Sequence, residues 1–218
     1  MDIGDIQINE KLISFLIFLP LFFISIAVHE FAHAIFAAKY GDDTAKNLGR
    51  LTLNPIKHLD LVGSVVMPLM SFASGFLIIG WAKPVPVNRN NFKDPFKDDA
   101  LVTAAGPISN FLLAIFFFLI LLMMKSISLS DGSLANYVLW MAVYFNIFLF
   151  AFNLLPIPPL DGSHIIFDLF PNKYTAKMMN LGAYGTIIML VFIFSPLWEY
   201  FIKFIDFIVR IFVTVSGY

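Results

Sequence analysis

The sequence contains no cysteine, and this absence removes several kinds of chemistry at once. Disulfide scaffolds, thiolate zinc sites and thiol nucleophiles are all excluded. Charge is also scarce, because Asp, Glu, Lys and Arg make up 13% of the 218 residues, against about 25% in an average soluble domain. The net charge is −1 and no run of basic residues could neutralise phosphates, so a nucleic-acid partner is excluded as well.

Apolar residues take the place of the missing charge. They account for 59% of the chain, and 26 residues are phenylalanine. A soluble fold of this size exposes too much surface to hide so many apolar side chains. Four segments reach the length of ~20 residues that a membrane-crossing helix needs, at 12–38, 100–124, 134–155 and 176–194. We therefore expect an all-α polytopic protein in the lipid bilayer, one integral-membrane domain over residues 1–218 with about four to six membrane segments.

Two further apolar segments are ambiguous. Residues 61–81 are interrupted by glycine, proline and serine, which suits a re-entrant segment as well as a full crossing. Residues 197–215 carry four charged side chains whose spacing of three or four residues puts them on one helix face. These are Glu199, Lys203, Asp206 and Arg210. Such a pattern indicates either a helix in the membrane interface or one whose charged face packs against protein.

The strongest chemical signal is His29-Glu30-Phe31-Ala32-His33, an HExxH sequence at the end of the first apolar segment. At about 100° per residue, both imidazoles and the carboxylate share one helix face. Two imidazoles one turn apart can bind one Zn²⁺, and Glu30 can take a proton from metal-bound water. The alternative is a helix with two packed histidines, which membrane burial disfavours because buried ionisable groups are costly and usually functional.

Two histidines leave a zinc ion short of a third protein ligand. The candidate is Asp161, in the segment Asn153-Leu154-Leu155-Pro156-Ile157-Pro158-Pro159-Leu160-Asp161-Gly162. Three prolines break an apolar helix there and let the carboxylate turn inward at membrane depth. Taken alone, Asp161 is equally well explained as the N-cap of a helix that begins near Gly162.

In this order the motifs resemble those of the site-2 protease family of intramembrane zinc metalloproteases. The HExxH sequence and the NxxPxPxxDG segment carry the resemblance, and Gly106-Pro107-Ile108-Ser109-Asn110 is similar to the family's GPxxN element. Two more stretches resemble the compact bacterial and archaeal subgroup, at 54–58 and 80–88. Many family members carry a PDZ or CBS domain, and we expect neither here.

The resemblance implies a three-helix catalytic core with peripheral helices. It also implies one zinc ion per chain, with the general-base role on Glu30 and metal ligation by His29, His33 and Asp161. Two asparagines, Asn110 and Asn153, correspond to polar positions near the family's active site. Each is interpreted either as a group that orients substrate or stabilises the oxyanion, or as a bridge between helices.

A shared zinc ion also constrains how the chain crosses the membrane. Both histidines lie near the end of one span and Asp161 follows another, so these spans must run in the same direction, with an odd number of crossings between them. Residues 100–124 supply one crossing, which predicts that 61–81 is re-entrant. Ten basic residues then share the side of the zinc site, against Lys11 and Lys125 on the other. The positive-inside rule places the site toward the cytoplasm.

These observations predict an intramembrane zinc endopeptidase in the plasma membrane of a prokaryotic cell. Its substrates would be transmembrane segments of other proteins, in regulated intramembrane proteolysis or in the clearance of membrane peptide remnants. The alternative is a membrane metal-binding or metal-transport protein that uses the same three ligands. Transporters usually place ionisable residues on several helices and often contain repeated halves, whereas this sequence has one cluster and no internal repeat.

Overall fold

The structure, a computed structural model, describes residues 3–74, 80–126 and 133–217. Within these ranges the regular secondary structure is helical, and the only strand-like pairing is one isolated bridge between Leu59 and Ala82, which confirms the all-α prediction. The helices are α1 Ile3–Lys39, α2 Thr44–Asn47, α3 Met67–Ser74, α4 Pro95–Ser126, α5 Leu134–Asn153, α6 Asp161–Leu169, α7 Lys173–Met179, α8 Ala183–Ile193 and α9 Pro196–Ser216. Short 3-10 turns form at Pro55–His58 and Arg89–Asn91, and a π-helical turn, Leu61–Val66, precedes α3.

Three helices among the described residues are long and apolar enough to cross a membrane: Lys11–Lys39 of α1, and all of α4 and α5. They confirm three of the four predicted spans. α4 packs against both α1 and α5, and α1 meets α5 through Phe18 and Phe145, whose ring centroids are 4.9 Å apart. This packing forms the three-helix core that positions the site.

The fourth predicted segment, 176–194, is not one straight helix, and its two parts form either a broken span or a re-entrant loop. The chain forms α7 and α8 instead, and Lys173–Met179 is bent by 86° from Tyr184–Ile193. Gly182, between the two helices, has φ +51°. This value lies outside the right-handed helical region, and glycine adopts it without a steric penalty. Hydropathy reports apolar length but not backbone conformation, so it could not reveal this break.

Residues 61–81 return to their starting point, as the re-entrant prediction requires, although residues 75–79 lie outside the described part of the chain. Trp81 donates its backbone N–H to the carbonyl of Gly63 at 3.0 Å, and the Ser64 hydroxyl donates to the Trp81 carbonyl at 2.7 Å. A Cβ on Gly63 would lie 2.4 Å from the indole of Trp81, so only glycine permits this approach. Because its two ends are in contact, the segment does not count as a crossing.

The charged helix α9 packs along the core through its apolar side. Phe201 and Ile205 are buried among side chains of α4 and α5, and Lys125 at the end of α4 donates to the carbonyls of residues 216 and 217. Glu199 and Lys203, in contrast, form an ion pair at 2.7 Å with side chains that are 70% and 65% exposed. The side chains of Glu199 and Lys203 therefore do not pack against protein, which was one of the two predicted arrangements of the charged face.

Residues 82–88 are extended and lead into the 3-10 turn Arg89–Asn91 before α4, and we call residues 82–91 the strap. Pro84 and Pro86 disfavour helix in the residues before them, and side chains fix both ends of the strap. Arg50 donates to the carbonyl of Lys83 at 2.7 Å, while the Asp42 carboxylate accepts the backbone N–H of Asn88 at 2.7 Å. Burial opposes ionisation of Asp42, but hydrogen bonds from Thr44, Asn88 and Asn91 hold its pKa below the usual range.

Candidate metal centre

Three predicted ligands meet where the last turns of α1 lie against the first residue of α6. Nε2 of His29 is 3.0 Å from Nε2 of His33, and Oδ2 of Asp161 is 3.2 Å and 3.5 Å from these two nitrogens. Both histidines are buried, and the aspartate is half-buried. These are the only three residues of their kind that form such a group within the described part of the chain.

The hydrogen bonds of the two imidazoles bear on whether the triangle could hold a cation. Nδ1 of His33 lies 2.9 Å from the backbone carbonyl of Val102, which only accepts, so Nδ1 carries a proton and, in the neutral imidazole, Nε2 is the free nitrogen. Nδ1 of His29 similarly lies 2.6 Å from Oδ1 of Asn110. When both rings are neutral, two nitrogen lone pairs and a carboxylate oxygen face one another, which is a set of donors that suits a cation. Tetrahedral zinc with bonds of about 2.0–2.1 Å separates its ligands by about 3.3 Å, which matches the triangle.

Asp161 reaches the triangle because it is the first residue of α6. The N-cap position belongs to Leu160, which makes no side-chain capping bond, so the N-cap explanation of Asp161 is wrong. Its Oδ2 is buried and accepts no hydrogen bond from the described residues, as expected of an oxygen reserved for a metal ion.

Gly106, the first residue of the GPxxN element, lets the backbone of α4 lie directly against both imidazoles. A Cβ at this position would be 2.3 Å from Nε2 of His33 and 2.7 Å from Cε1 of His29. Such distances lie far inside van der Waals contact, so any side chain would displace the ligands. The sequence motif directs attention to Asn110. The requirement for glycine at position 106 is visible only in the packing of α4 against α1.

Glu30, the predicted general base, is buried beside the ligands and touches the strap. The backbone N–H of Val85 donates to its Oε2 at 2.7 Å. This bond fixes one carboxylate oxygen, and accepting a proton from water needs only the other. Because the partners are 55 residues apart in sequence, local patterns could not predict the contact.

The two asparagines have different surroundings. Asn110 is fully buried, its Oδ1 faces His29 and its Nδ2 donates to the Ser25 carbonyl and to Oδ1 of Asn146. This geometry favours the bridging interpretation of Asn110. Asn153 is half-buried at the end of α5, where Nδ2 donates to the carbonyl of Leu149 at 3.0 Å, and its role in substrate binding stays a prediction.

Arg89 of the strap connects α6, the helix that begins with Asp161, to the start of α4. Its guanidinium pairs with the carboxylates of Asp99 at the start of α4 and Asp168 in α6, and it lies over the Phe167 ring at 5.3 Å from the centroid. Burial and the nearby Asp99 raise the pKa of Asp168 to about 7, although Arg89 opposes the shift. Burial, aided by Arg89, lowers the pKa of the adjacent His164. Sequence analysis missed this cluster, since nothing local links its members.

The fold and the site define an integral-membrane helical protein with a His-His-Asp group that could hold a metal ion and an adjacent glutamate. The chain belongs to Peptidase family M50, whose family model matches residues 17–131 and 123–194. This finding confirms the resemblance to the site-2 proteases.

Curated relatives carry names of the same kind. "Putative zinc metalloprotease YwhC" of Bacillus subtilis is 45% identical over 183 residues, which cover 81% of this chain and 80% of that protein. "Putative zinc metalloprotease Rip2" of Mycolicibacterium smegmatis is 26% identical over 186 residues, or 84% of this chain and 68% of that protein. "Putative zinc metalloprotease MJ0611" of Methanocaldococcus jannaschii is 36% identical over 70 residues, or 32% and 34%. No solved structure gives a significant match.

Proposed function

We propose that this protein is an intramembrane zinc endopeptidase that hydrolyses peptide bonds within transmembrane segments of other membrane proteins. The observation that carries the proposal is the triangle of His29, His33 and Asp161, with Glu30 on the same helix as the histidines, in a chain of the M50 family. We assign one zinc ion to this triangle in each chain, and a single catalytic domain to residues 1–218.

The residues divide the chemistry among them. A zinc ion, when bound, polarises the scissile carbonyl and lowers the pKa of its water to about 7. His29 and His33 hold the metal through Nε2, and Asp161 holds it through Oδ2. Glu30 accepts the proton of the attacking water and returns it to the leaving amine, a general-base role that contributes about 10²–10⁴-fold.

A transmembrane substrate has to unwind before this site can cut it, because a helix keeps its carbonyls in i→i−4 hydrogen bonds. The strap is already extended and contacts Glu30 through Val85, so an unwound substrate segment would lie alongside it. Helix-breaking residues in the substrate should therefore favour cleavage. We assign orientation of the substrate or stabilisation of the oxyanion to Asn153. Both polar atoms of the Asn110 side chain are already hydrogen-bonded, so we assign Asn110 to the positioning of His29.

We further propose that the site faces the cytoplasm and that the protein resides in the plasma membrane of a prokaryotic cell. The support is the distribution of basic residues. With residues 61–81 returning to their starting point, the loops before and after them share one side of the membrane, and these loops hold most of the lysines and arginines.

The test compares cells that express the wild-type protein, Glu30→Gln or the control Glu199→Gln, whose side chain is exposed on α9. Quantitative membrane proteomics should show uncut membrane proteins or peptide remnants that accumulate with Glu30→Gln and not with the control. The purified Glu30→Gln protein should retain its zinc, because Glu30 is a base and not a ligand. Normal turnover by Glu30→Gln would contradict the proposal. A change in cellular zinc with no accumulating membrane protein would instead support metal transport.

A further inference from the structure

Three fully buried polar side chains connect the three core helices beneath the metal centre. Ser25 lies on α1, Asn110 on α4 and Asn146 on α5, and each is 0% exposed. Polar groups at such depth are expensive unless they are hydrogen-bonded. The hydroxyl of Ser25 accepts from Nδ2 of Asn146 at 2.9 Å, so the three residues form one network that ends at His29.

Backbone carbonyls fix the orientation of both amides in this network. A carbonyl oxygen can only accept, so the atom that faces it must belong to an NH₂ group. Nδ2 of Asn146 lies 2.9 Å from the carbonyl of Ala142, and Nδ2 of Asn110 lies 3.2 Å from the carbonyl of Ser25. Turning either amide over would set two acceptors against each other in the protein interior.

With these orientations fixed, the network has a direction. Oδ1 of Asn146 accepts from Nδ2 of Asn110 at 3.1 Å, which leaves Oδ1 of Asn110 for Nδ1 of His29 at 2.6 Å. Because this oxygen can only accept, a neutral His29 must carry its proton on Nδ1. Nε2 is then the free nitrogen, and it is the one that faces His33 and Asp161.

We propose that Asn146 is a positioning residue for the metal centre, which acts through Asn110 to hold His29 in the Nδ1–H tautomer. The inference rests on the proposed zinc site. His33 provides an internal comparison, since its tautomer is set by the backbone carbonyl of Val102 and needs no amide. Loss of the Asn146 side chain should therefore affect His29 and leave His33 unchanged.

The experiment uses the full-length protein in detergent micelles, with ¹⁵N-labelled histidine. The chain contains four histidines, so the ring-nitrogen shifts of the metal-free protein can be assigned with single substitutions. We expect His29 of the wild type to be the Nδ1–H tautomer. In Asn146→Leu it should become a mixture of tautomers, with His33 unaltered, and zinc affinity measured by chelator competition should fall about 10-fold or more, as for other outer-shell partners of metal ligands.

Two variants separate positioning from a general packing effect. Asn146→Asp keeps an oxygen for Asn110 and, when protonated at this depth, an O–H for Ala142, so its tautomer and zinc affinity should stay near the wild type. Asn136→Leu makes the matching change at another buried asparagine of α5 and should also be neutral. If Asn146→Leu does not purify as a single species, Asn146→Ala replaces it. Alanine also removes the side-chain amide and is smaller than asparagine, so it fits the same space.

The outcomes distinguish this inference from the proposed function. An unchanged His29 tautomer and unchanged zinc affinity in the leucine or alanine variant of Asn146 would overturn the inference. Equal changes at His29 and His33 would overturn it too, because they would indicate loose packing. A wild-type protein that shows the expected tautomer but binds no zinc would refute the proposed function and leave the tautomer result standing.

Discussion

Replacement of Gly106 by alanine should weaken zinc binding strongly and change the stability of the fold only slightly. The new Cβ would lie 2.3 Å from Nε2 of His33, where ordinary contact begins at 3.4 Å, so the imidazole or the helix has to move by 1.1 Å. Metal–ligand distances tolerate only about ±0.2 Å, and a misplacement of about 1 Å at a catalytic group costs on the order of 10²-fold. We therefore expect zinc affinity to fall at least 100-fold.

The effect of Gly106→Ala on folding should be much smaller. Alanine is favoured over glycine inside a helix by about 1 kcal/mol, which offsets part of the ~1–3 kcal/mol typical of overpacking. Chelator competition gives the zinc affinity, and circular dichroism during heating gives the stability of the metal-free protein. Ile108→Ala, on the same helix at a residue that is 49% exposed, is the control and should bind zinc normally. Wild-type zinc affinity in Gly106→Ala would refute the reasoning, because the ligands would then not be held against α4.

Two further predictions concern pH and topology. Because the pKa of Asp168 is raised from 3.8 to about 7, this group's contribution to stability falls as pH rises between these values, so the thermal midpoint should fall more from pH 5 to pH 8 in the wild type than in Asp168→Asn. An equal fall in both proteins would contradict the assignment. In this cysteine-free chain, single cysteines at Lys46 and Lys93 should react with an impermeant thiol reagent from the cytoplasmic side, and one at Leu134 from the opposite side. Opposite-side labelling of 46 and 93 would refute the re-entrant segment.

The core helices and the three ligands could be predicted because their signals are local. HExxH fixes the relative direction of His29 and His33 within one helical turn, and the prolines before Asp161 mark where α5 must stop. One shared ion then dictated parallel spans and, with the charge distribution, the return of residues 61–81. Asp161 as the third ligand also needed the resemblance to the site-2 proteases, and the remaining steps used spacing, bond lengths and the distribution of charge.

Other features depended on how the helices are docked. The contact of Val85 with Glu30 joins residues 55 positions apart, and the role of Asn110 depends on which side of α4 faces α1. Asn146 offered one signal, a polar residue within the apolar α5, where such side chains commonly bridge helices. The bend between α7 and α8 arises at Gly182 from backbone conformation, which hydropathy does not report.

The most direct test of the account is the zinc content of the purified protein and of Asp161→Ala, measured by mass spectrometry of the metal. We predict about one zinc ion per wild-type chain and loss of most of it in Asp161→Ala. The control Asp43→Ala, at an exposed surface carboxylate, should keep its metal. Full zinc occupancy in Asp161→Ala, or no zinc in the wild type, would contradict the His29, His33 and Asp161 centre on which the proposed protease activity depends.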